Sequence, residues 1–509
     1  MEPAIGKHGF LRNILVRVLS FCVLIVATRF AYIVTVKGGS CDSGNFCFFP
    51  ENINVPGPKV HTSSAVSGDE GDVLHTRKWR RSVEYYTAIF QDLIGEGSLS
   101  PNYRALCIDT PTGEDVLALK EVGVIDSLGI TKKPSPPLIV LGDGHRQPFD
   151  QDAFDFEFSG NGGLDHSSRP SEFAAETCRT LKPGGFLVVH TAAAMDIYSL
   201  NSFLELFNCC KLIRTRDING VDSNLIFEIV MRKKTTETLL LQETKSNSKP
   251  PHGGNSEDSC SVQGYKQEIV QKAEPLIAEE PSKPWITLKR NIKNIKYLPS
   301  MVDISFKTRY VYIDVGARSY GSSIGSWFKK QYPKQNKTFE IFAIEADKSF
   351  HGEYKSKKGV NLLPFAAWVR NETLFFEITR DPTSKTAIEN GKGMGMGRIN
   401  PVQTSSSHMG DMDKILGFDF ADWLKTTFAD RDFVVMKMDV EGTEFHLIPR
   451  LIETGAICLI DELLLECHYN RWQRCCPGQR SPKYQNTYAQ CLNLFTSLRE
   501  SGVLVHQWW

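Results

Sequence analysis

The stretch TRYVYIDVGARSYGSSIGSWFKKQY, Thr308 to Tyr332, narrows the fold more than any other part of the chain. An apolar strand, Tyr310 to Ile313, ends in Asp314; a glycine-bearing loop, Gly316 to Gly321, follows, and then a helix is expected to begin. A second apolar strand, Phe339 to Ile344, ends in Glu345. Strands alternating with amphipathic helices imply a mainly parallel sheet with helices on both faces. In such a sheet a nucleotide-like cofactor sits at the carboxyl end of the first strand, where glycines let the backbone approach it closely. An acid that closes the second strand can accept hydrogen bonds from both hydroxyls of a ribose, as an adenosine-bearing cofactor requires.

The same edge of the sheet gathers further acids. In FVVMKMDVEGTEFHLIPRLIE a strand, Phe433 to Met438, is followed by Asp439, Glu441, Gly442 and Glu444. Another, Glu462 to Leu465, ends in Glu466 and His468. Asp439 and His468 are the candidate bases, and Glu441 and Glu444 are expected on the substrate edge. Asp439 and Glu444 have a second reading, as acids satisfying the first amides of a helix. Met394 and Met396, in GKGMGMGRI, fall on a glycine-rich loop, read as a connector or a lid.

The pieces IDVGA, FAIEAD, KMDVEGTE and LLLECHY resemble the FkbM-type family of S-adenosylmethionine-dependent methyltransferases across residues 308–470. The resemblance implies S-adenosyl-L-methionine as cofactor and O-methylation of a sugar or related small molecule. Carried over by position, Asp314, Gly316 and Gly321 shape the loop on the methionine side, Glu345 holds the ribose, and Asp439 borders the cofactor and the active-site edge. The family's tight D-x-G-A-N-x-G loop is one residue longer here, with Arg318, Ser319 and Tyr320 between Ala317 and Gly321 and no asparagine.

An earlier part of the chain, residues 80–233, resembles the common class I small-molecule methyltransferases through GD-x-x-x-x-PF, DAFDFEF and LKPGG. There Asp143 would face the adenine and Phe149 would pack beside it. The cofactor loop departs from the pattern, because Asp109-Thr-Pro-Thr-Gly113 replaces D-x-G-x-G and Pro111 removes a donor. Asp126 is the nearest acid to the end of the second strand. This domain is therefore expected to keep the fold and to have lost cofactor binding.

At 509 residues the chain exceeds one ordinary core. The expected organisation is a cytosolic tail (1–13), a signal-anchor helix (14–36), a stem (37–78), a degenerate methyltransferase-like domain (79–234), a disordered linker (235–283) and the FkbM-like domain (284–509). The fold class is thus α/β, with two tandem Rossmann-like, doubly wound sheets behind one transmembrane helix. Val18 to Val36 is apolar but for Arg29, and the flanking Lys7, Arg12 and Arg17 leave the later residues lumenal. A cleaved signal and an organelle transit peptide are the other readings of this run. The expected location is the endomembrane system, a Golgi membrane protein of single-pass type II. Asn336-Lys-Thr338 and Asn371-Glu-Thr373 are candidate glycosylation sites compatible with a lumenal domain.

Basic and acidic residues balance at 59 each, which removes the field a nucleic acid would need. No cysteine pair has C-x-x-C spacing, so no structural metal is expected. Cys41 with Cys47, and the group Cys458, Cys467, Cys475, Cys476 and Cys491, are disulfide candidates in an oxidising compartment and buried thiols otherwise. No feature fixes an oligomeric state. The leading functional expectation is a lumenal methyltransferase acting on a glycan or small metabolite. A non-catalytic methyltransferase-like scaffold is its rival, and a glycosyltransferase using Asp411 and Asp413 as an acidic metal pair is the third.

Overall fold

The computed structural model describes residues 77–133, 136–222, 224–235, 264–378, 397–400, 412–473 and 478–508. The predicted tail, anchor and stem lie outside these, except Arg77 and Lys78, as do Cys41, Cys47, Cys475, Cys476, Met394, Met396 and Asp411. Among the described residues no helix is long and apolar enough to cross a membrane.

Two parallel-centred sheets lie within one compact unit, Glu70–Trp509. In the first, helix α1 (Arg77–Gly95) precedes β1 (Ala105–Ile108), α2 (Glu114–Glu121), β2 (Ser127–Thr131), β3 (Ile139–Leu141), β4 (Phe154–Ser159), α3 (Pro170–Thr180), β5 (Leu181–Thr191), α4 (Ile197–Leu206), β6 (Cys210–Asn219) and β7 (Leu225–Lys233). The strand order is β3-β2-β1-β4-β5-β7-β6, a doubly wound core closed by an antiparallel pair.

The second half contains α5 (Gly264–Gln271), α6 (Pro284–Asn291), β8 (Tyr310–Val315), β9 (Glu340–Ile344), α7 (Lys348–Lys355), β10 (Val360–Leu363), α8 (Phe420–Thr427), β15 (Phe433–Met438), α9 (Glu444–Glu453), β16 (Glu462–Leu465), α10 (Tyr488–Glu500) and β17 (Leu504–Gln507). Its sheet runs β10-β9-β8-β15-β16-β17, every pair parallel. A side sheet is formed by β11 (Ala366–Trp368), β12 (Glu372–Ile378), β13 (Gly397–Asn400) and β14 (Met412–Asp419).

In the second sheet the central strands read as apolar runs broken only by Asp314 in β8 and Lys437 in β15, because both faces are covered. Along β8 and β15, alternate residues go to opposite faces. Val311, Ile313, Val434 and Met436 join Leu424 of α8, Leu447 of α9 and Phe495 of α10. Tyr312, Phe433 and Val435 join Tyr265 of α5, Trp327 and Tyr354 of α7. One aromatic crosses each way between the halves: Tyr198 of α4 packs into this second core, while Phe306 packs edge-on to Phe203 in the first. Asp196 caps α4 through the amides of Tyr198 and Ser199, and its other oxygen accepts from the Asp303 amide. A single N-cap thus also fixes the join.

The disordered linker expected over 235–283 requires correction. Its described C-terminal part, from Gly264, is built into the second half. Tyr265 and Ile269 are buried, His506 Nδ1 donates to Glu274 at 2.7 Å, and the Ile277 amide donates to Gln507. These partners lie more than 200 residues away, so local periodicity could not reveal them.

Candidate functional site

The chain order of the second sheet reverses between β8 and β15, the position where a doubly wound sheet opens a crevice outside its strand ends. A cavity of about 310 Å³ occupies that place. Gly316 and Arg318 line it from the loop after β8, Glu345 and Asp347 from the loop after β9, and Asp439, Glu441 and Glu466 from the ends of β15 and β16. Four strand ends therefore converge on one opening.

Gly316 is required there. Its φ is +77°, and a Cβ would stand 1.9 Å from the carbonyl oxygen of Asp439. The loop after β8 touches the end of β15 with no room for a side chain. Gly321 behaves otherwise: it has an ordinary φ and open space around it, and it does not line the cavity. Its expected loop-shaping role is not one the geometry demands. The inserted residues let the chain turn earlier, with Arg318 at φ +51° and a π-helical turn, Ile324–Phe328, in place of a regular helix start.

Asp314 is fully buried beneath the loop rather than in the cavity. The Ser323 hydroxyl donates to it and the Lys437 ammonium lies 3.5 Å away. Burial raises its pKa, against the pull of Lys437. Its role is to anchor the loop to β15. Glu345 stands at the cavity itself. It lines the cavity, and its two oxygens accept from the amides of Arg318 and Asp347, each at 2.6 Å. Those bonds fix the carboxylate while each oxygen keeps a lone pair for a ligand hydroxyl. Burial lifts its pKa to about 7 despite these amides.

At the other end, Asp439 lines the cavity with its side chain 30% exposed. Its Oδ2 lies 3.7 Å from Lys437, and its Oδ1 lies 3.5 Å from His468 Nε2. Glu441, at φ +51°, also lines the cavity; its Oε2 accepts from Lys483 at 2.8 Å and from the Tyr484 hydroxyl. Glu444 is misplaced by the substrate-edge expectation. It is fully buried, accepting the His468 amide and Nδ1–H on one oxygen and the Gly442 amide on the other. As the first residue of α9 it holds the turn and orients His468.

His468 is 8% exposed. Burial would lower its pKa, but Glu444, Glu466 and Asp439 outweigh that and hold it at about 9. Its Nδ1 is committed to Glu444, which leaves the more exposed Asp439 as the better-placed proton acceptor. One participant escaped the sequence reading, and another was named there only as the acid at its strand's end, with no role. Lys437 is a lysine inside an otherwise apolar strand, bridging Asp314 and Asp439. Glu466 sits at the carboxyl end of β16, and that position in LLLECHY was its only signal. Together Asp439, Glu466 and His468 place three ligand atoms within 4.8 Å of one another, so the expectation of no metal does not follow from the geometry.

At the corresponding edge of the first half, side chains bond to one another. His145 Nδ1 donates to Asp143 at 2.7 Å, Lys132 stands 3.3 Å from it, and His145 Nε2 meets Ser167 at 2.6 Å. Partial burial pushes the Asp143 pKa up, but His145 and Lys132 hold it at about 2. Phe149 packs edge-on to Phe154. Asp109, at φ +54°, lies against Gly163. Asp126 precedes β2 instead of ending it, so it lies at the opposite edge of the sheet. The residue that follows β2 is Lys132, not an acid.

Both predicted sequon asparagines, Asn336 and Asn371, are exposed. Among the described residues two disulfides are complete, Cys178–Cys209 and Cys467–Cys491, and Cys458 is disulfide-bonded as well.

Residues 121–189 match the family model of a methyltransferase domain. Residues 270–374 and 393–509 match a domain of unknown function, DUF7870. No curated protein matches the chain. Among solved structures it is similar to a methyltransferase of Burkholderia thailandensis that carries 1,6-didemethyltoxoflavin and S-adenosylhomocysteine, at 14% identity, over 30% of this chain and 79% of that one, TM-score 0.25. It is also similar to the [4+2]-cyclase SpnF, at 17% identity over 29% and 80%, TM-score 0.25. A protein from Pyrococcus horikoshii aligns at 12% identity over 32% and 93%, TM-score 0.26. At such scores these likenesses assign nothing to this chain. The methyltransferase-domain match supports a methyltransferase, with S-adenosylmethionine as its cofactor.

Proposed function

We propose that the chain is an S-adenosylmethionine-dependent methyltransferase whose cofactor lies in the second-half crevice, and that it O-methylates a glycan or small metabolite in the endomembrane lumen, as the FkbM-type motifs imply. The observation that carries this reading is the pairing of Gly316, packed on the Asp439 carbonyl, with a cavity-lining Glu345 fixed by two amides. A methyl transfer needs the acceptor oxygen held in line with the methyl group and at most one base. Asp439 is the residue assigned to that base. The disulfides and the exposed sequons suit an oxidising lumen. Membrane anchoring rests on residues 14–36 alone.

Calorimetric titration of S-adenosylmethionine into the purified protein tests the proposal. Binding at micromolar concentration, lost in Glu345→Ala, is the expected result. A folded wild-type protein that takes up no cofactor would leave the scaffold reading, which the self-bonded first-half crevice favours.

A further inference from the structure

The donors at the ends of β15 and β16 are more numerous than a cofactor and one base require. Glu441 is engaged by Lys483 and Tyr484, and Oδ2 of Asp439 faces Lys437. After those pairings two carboxylate groups still face the same point. Oδ1 of Asp439 and Oε1 of Glu466 stand 3.5 and 3.8 Å from His468 Nε2. The Glu466 carboxylate accepts no hydrogen bond from the described residues. Nε2 of His468, on a side chain more than nine-tenths buried, has these two acids and Oε2 of Glu441, at 3.8 Å, within 4 Å and no hydrogen bond to any of them.

The other ring nitrogen explains why Nε2 points there. Glu444, fully buried and held by the Gly442 amide, accepts both Nδ1–H and the main-chain amide of His468. A carboxylate behind an imidazole fixes its tautomer and aims its free lone pair, the arrangement found behind metal-ligating histidines. Donors bound to one ion at ~2.0–2.2 Å lie roughly 3.0–3.6 Å apart. The two distances to Nε2 are close to that spacing, and all three donor atoms lie within 4.8 Å of one another.

From these residues we infer that Asp439, Glu466 and His468 form a divalent cation site at the floor of the cavity. One imidazole and two carboxylates suit manganese or zinc, and three protein ligands leave positions open toward the cavity. Its role, resting on the methyltransferase reading, is to bind and acidify the acceptor oxygen beside the crevice that takes the cofactor; with the ion bound, Asp439 is a ligand and that acidification takes the place of a free base.

The test is titration of Mn2+, and separately Zn2+, into chelator-stripped full-length protein, with bound metal counted by mass spectrometry after gel filtration. One equivalent should bind. Glu466→Gln and His468→Ala should each weaken binding more than Glu444→Gln, for which a loss of roughly 10- to 100-fold is expected. Room-temperature Mn2+ spin resonance should broaden on binding only in the wild type. Failure of the folded wild type to bind either ion would overturn the inference, as would unchanged affinity in both Glu466→Gln and His468→Ala. Because Glu466→Gln keeps shape and volume, its thermal melt separates lost binding from lost folding. Titration of S-adenosylmethionine into the metal-free protein reports on the cofactor separately, so either assignment can fail while the other stands.

Discussion

The two crevices of this molecule share a backbone plan and differ in what fills them. In both, the chain order reverses beside the first strand, between β1 and β4 and between β8 and β15. In the first half, Asp143, His145 and Ser167 are bonded to one another, and Lys132 follows the strand where a ribose-holding acid would stand. In the second, Glu345, Asp439 and Glu466 face an open cavity, with Glu345 held by two amides and Asp439 beside Lys437. The methyltransferase-domain match nevertheless falls on the first half. Likeness of sequence there follows the turns and strands that make the sheet, whereas the capacity to bind follows a few side chains at its edge.

The sharpest way to break this comparison is to put a side chain on the close approach. Gly316→Ala forces a Cβ into the Asp439 carbonyl at a positive φ, and backbone on both sides resists. We expect loss of cofactor binding and destabilisation on the order of 4 kcal/mol or more, read by calorimetry and thermal melts. The first-half counterpart, Gly113→Ala, meets only side chains at 3.3 Å, also at positive φ. It should cost roughly 1–2 kcal/mol and leave cofactor affinity unchanged. Equal effects at both glycines would remove the distinction.

Next in size is a buried network that ties the re-assigned linker to the second sheet. His506 donates to Glu274 and Glu462 at 2.7 and 2.9 Å with no solvent exposure. Burial lowers its pKa, yet the two acids outweigh it and hold it at about 9. A raised folded value means stability that is complete below the unfolded value of ~6.5 and is lost as pH climbs toward about 9. His506→Gln should cost ~3–5 kcal/mol near pH 6 and flatten the decline between pH ~6.5 and 9 in denaturant titrations. Parallel stability curves for variant and wild type would refute it.

Much of this was legible in the residues. The strands Phe433–Met438 and Glu462–Leu465 were readable to the residue, because a run buried on both faces carries no polar interruption except where a partner waits. Glu345 and Asp439 were readable because strand ends are fixed once strands are. Glu444 was not, since its position beside the others in sequence hides that helix α9 turns it inward onto His468. The order beyond Gly264 was hidden for a different reason: its partners, such as His506, are supplied by the far end of the chain.

A smaller effect sharpens the comparison at the ribose position. Glu345→Gln keeps the shape but halves the acceptor capacity of a group that already serves two amides. Hydrogen bonds to a charged group contribute about 1.5–3 kcal/mol, so cofactor affinity should fall roughly 10- to 100-fold. Asp143→Asn in the first half should leave that affinity alone, while loosening His145. A comparable loss from Asp143→Asn would place the cofactor in the wrong crevice and reverse the assignment of the halves.

The smallest effect is expected at Asp126, and it tests the topology rather than the chemistry. Sequence proximity made it the nearest acid to the second strand of the first half, but it stands before that strand, at the edge away from either crevice opening. Its side chain is 70% exposed, and its one ion pair, to Arg104, is loose at 3.8 Å. Exposed pairs of this kind contribute little. Asp126→Asn should therefore shift stability by no more than ~0.5 kcal/mol and leave cofactor titrations superimposable on wild type. A measurable loss of binding would mean that the strand direction, and with it the placement of both crevices at the carboxyl edges, has been drawn from the wrong end of the sheet.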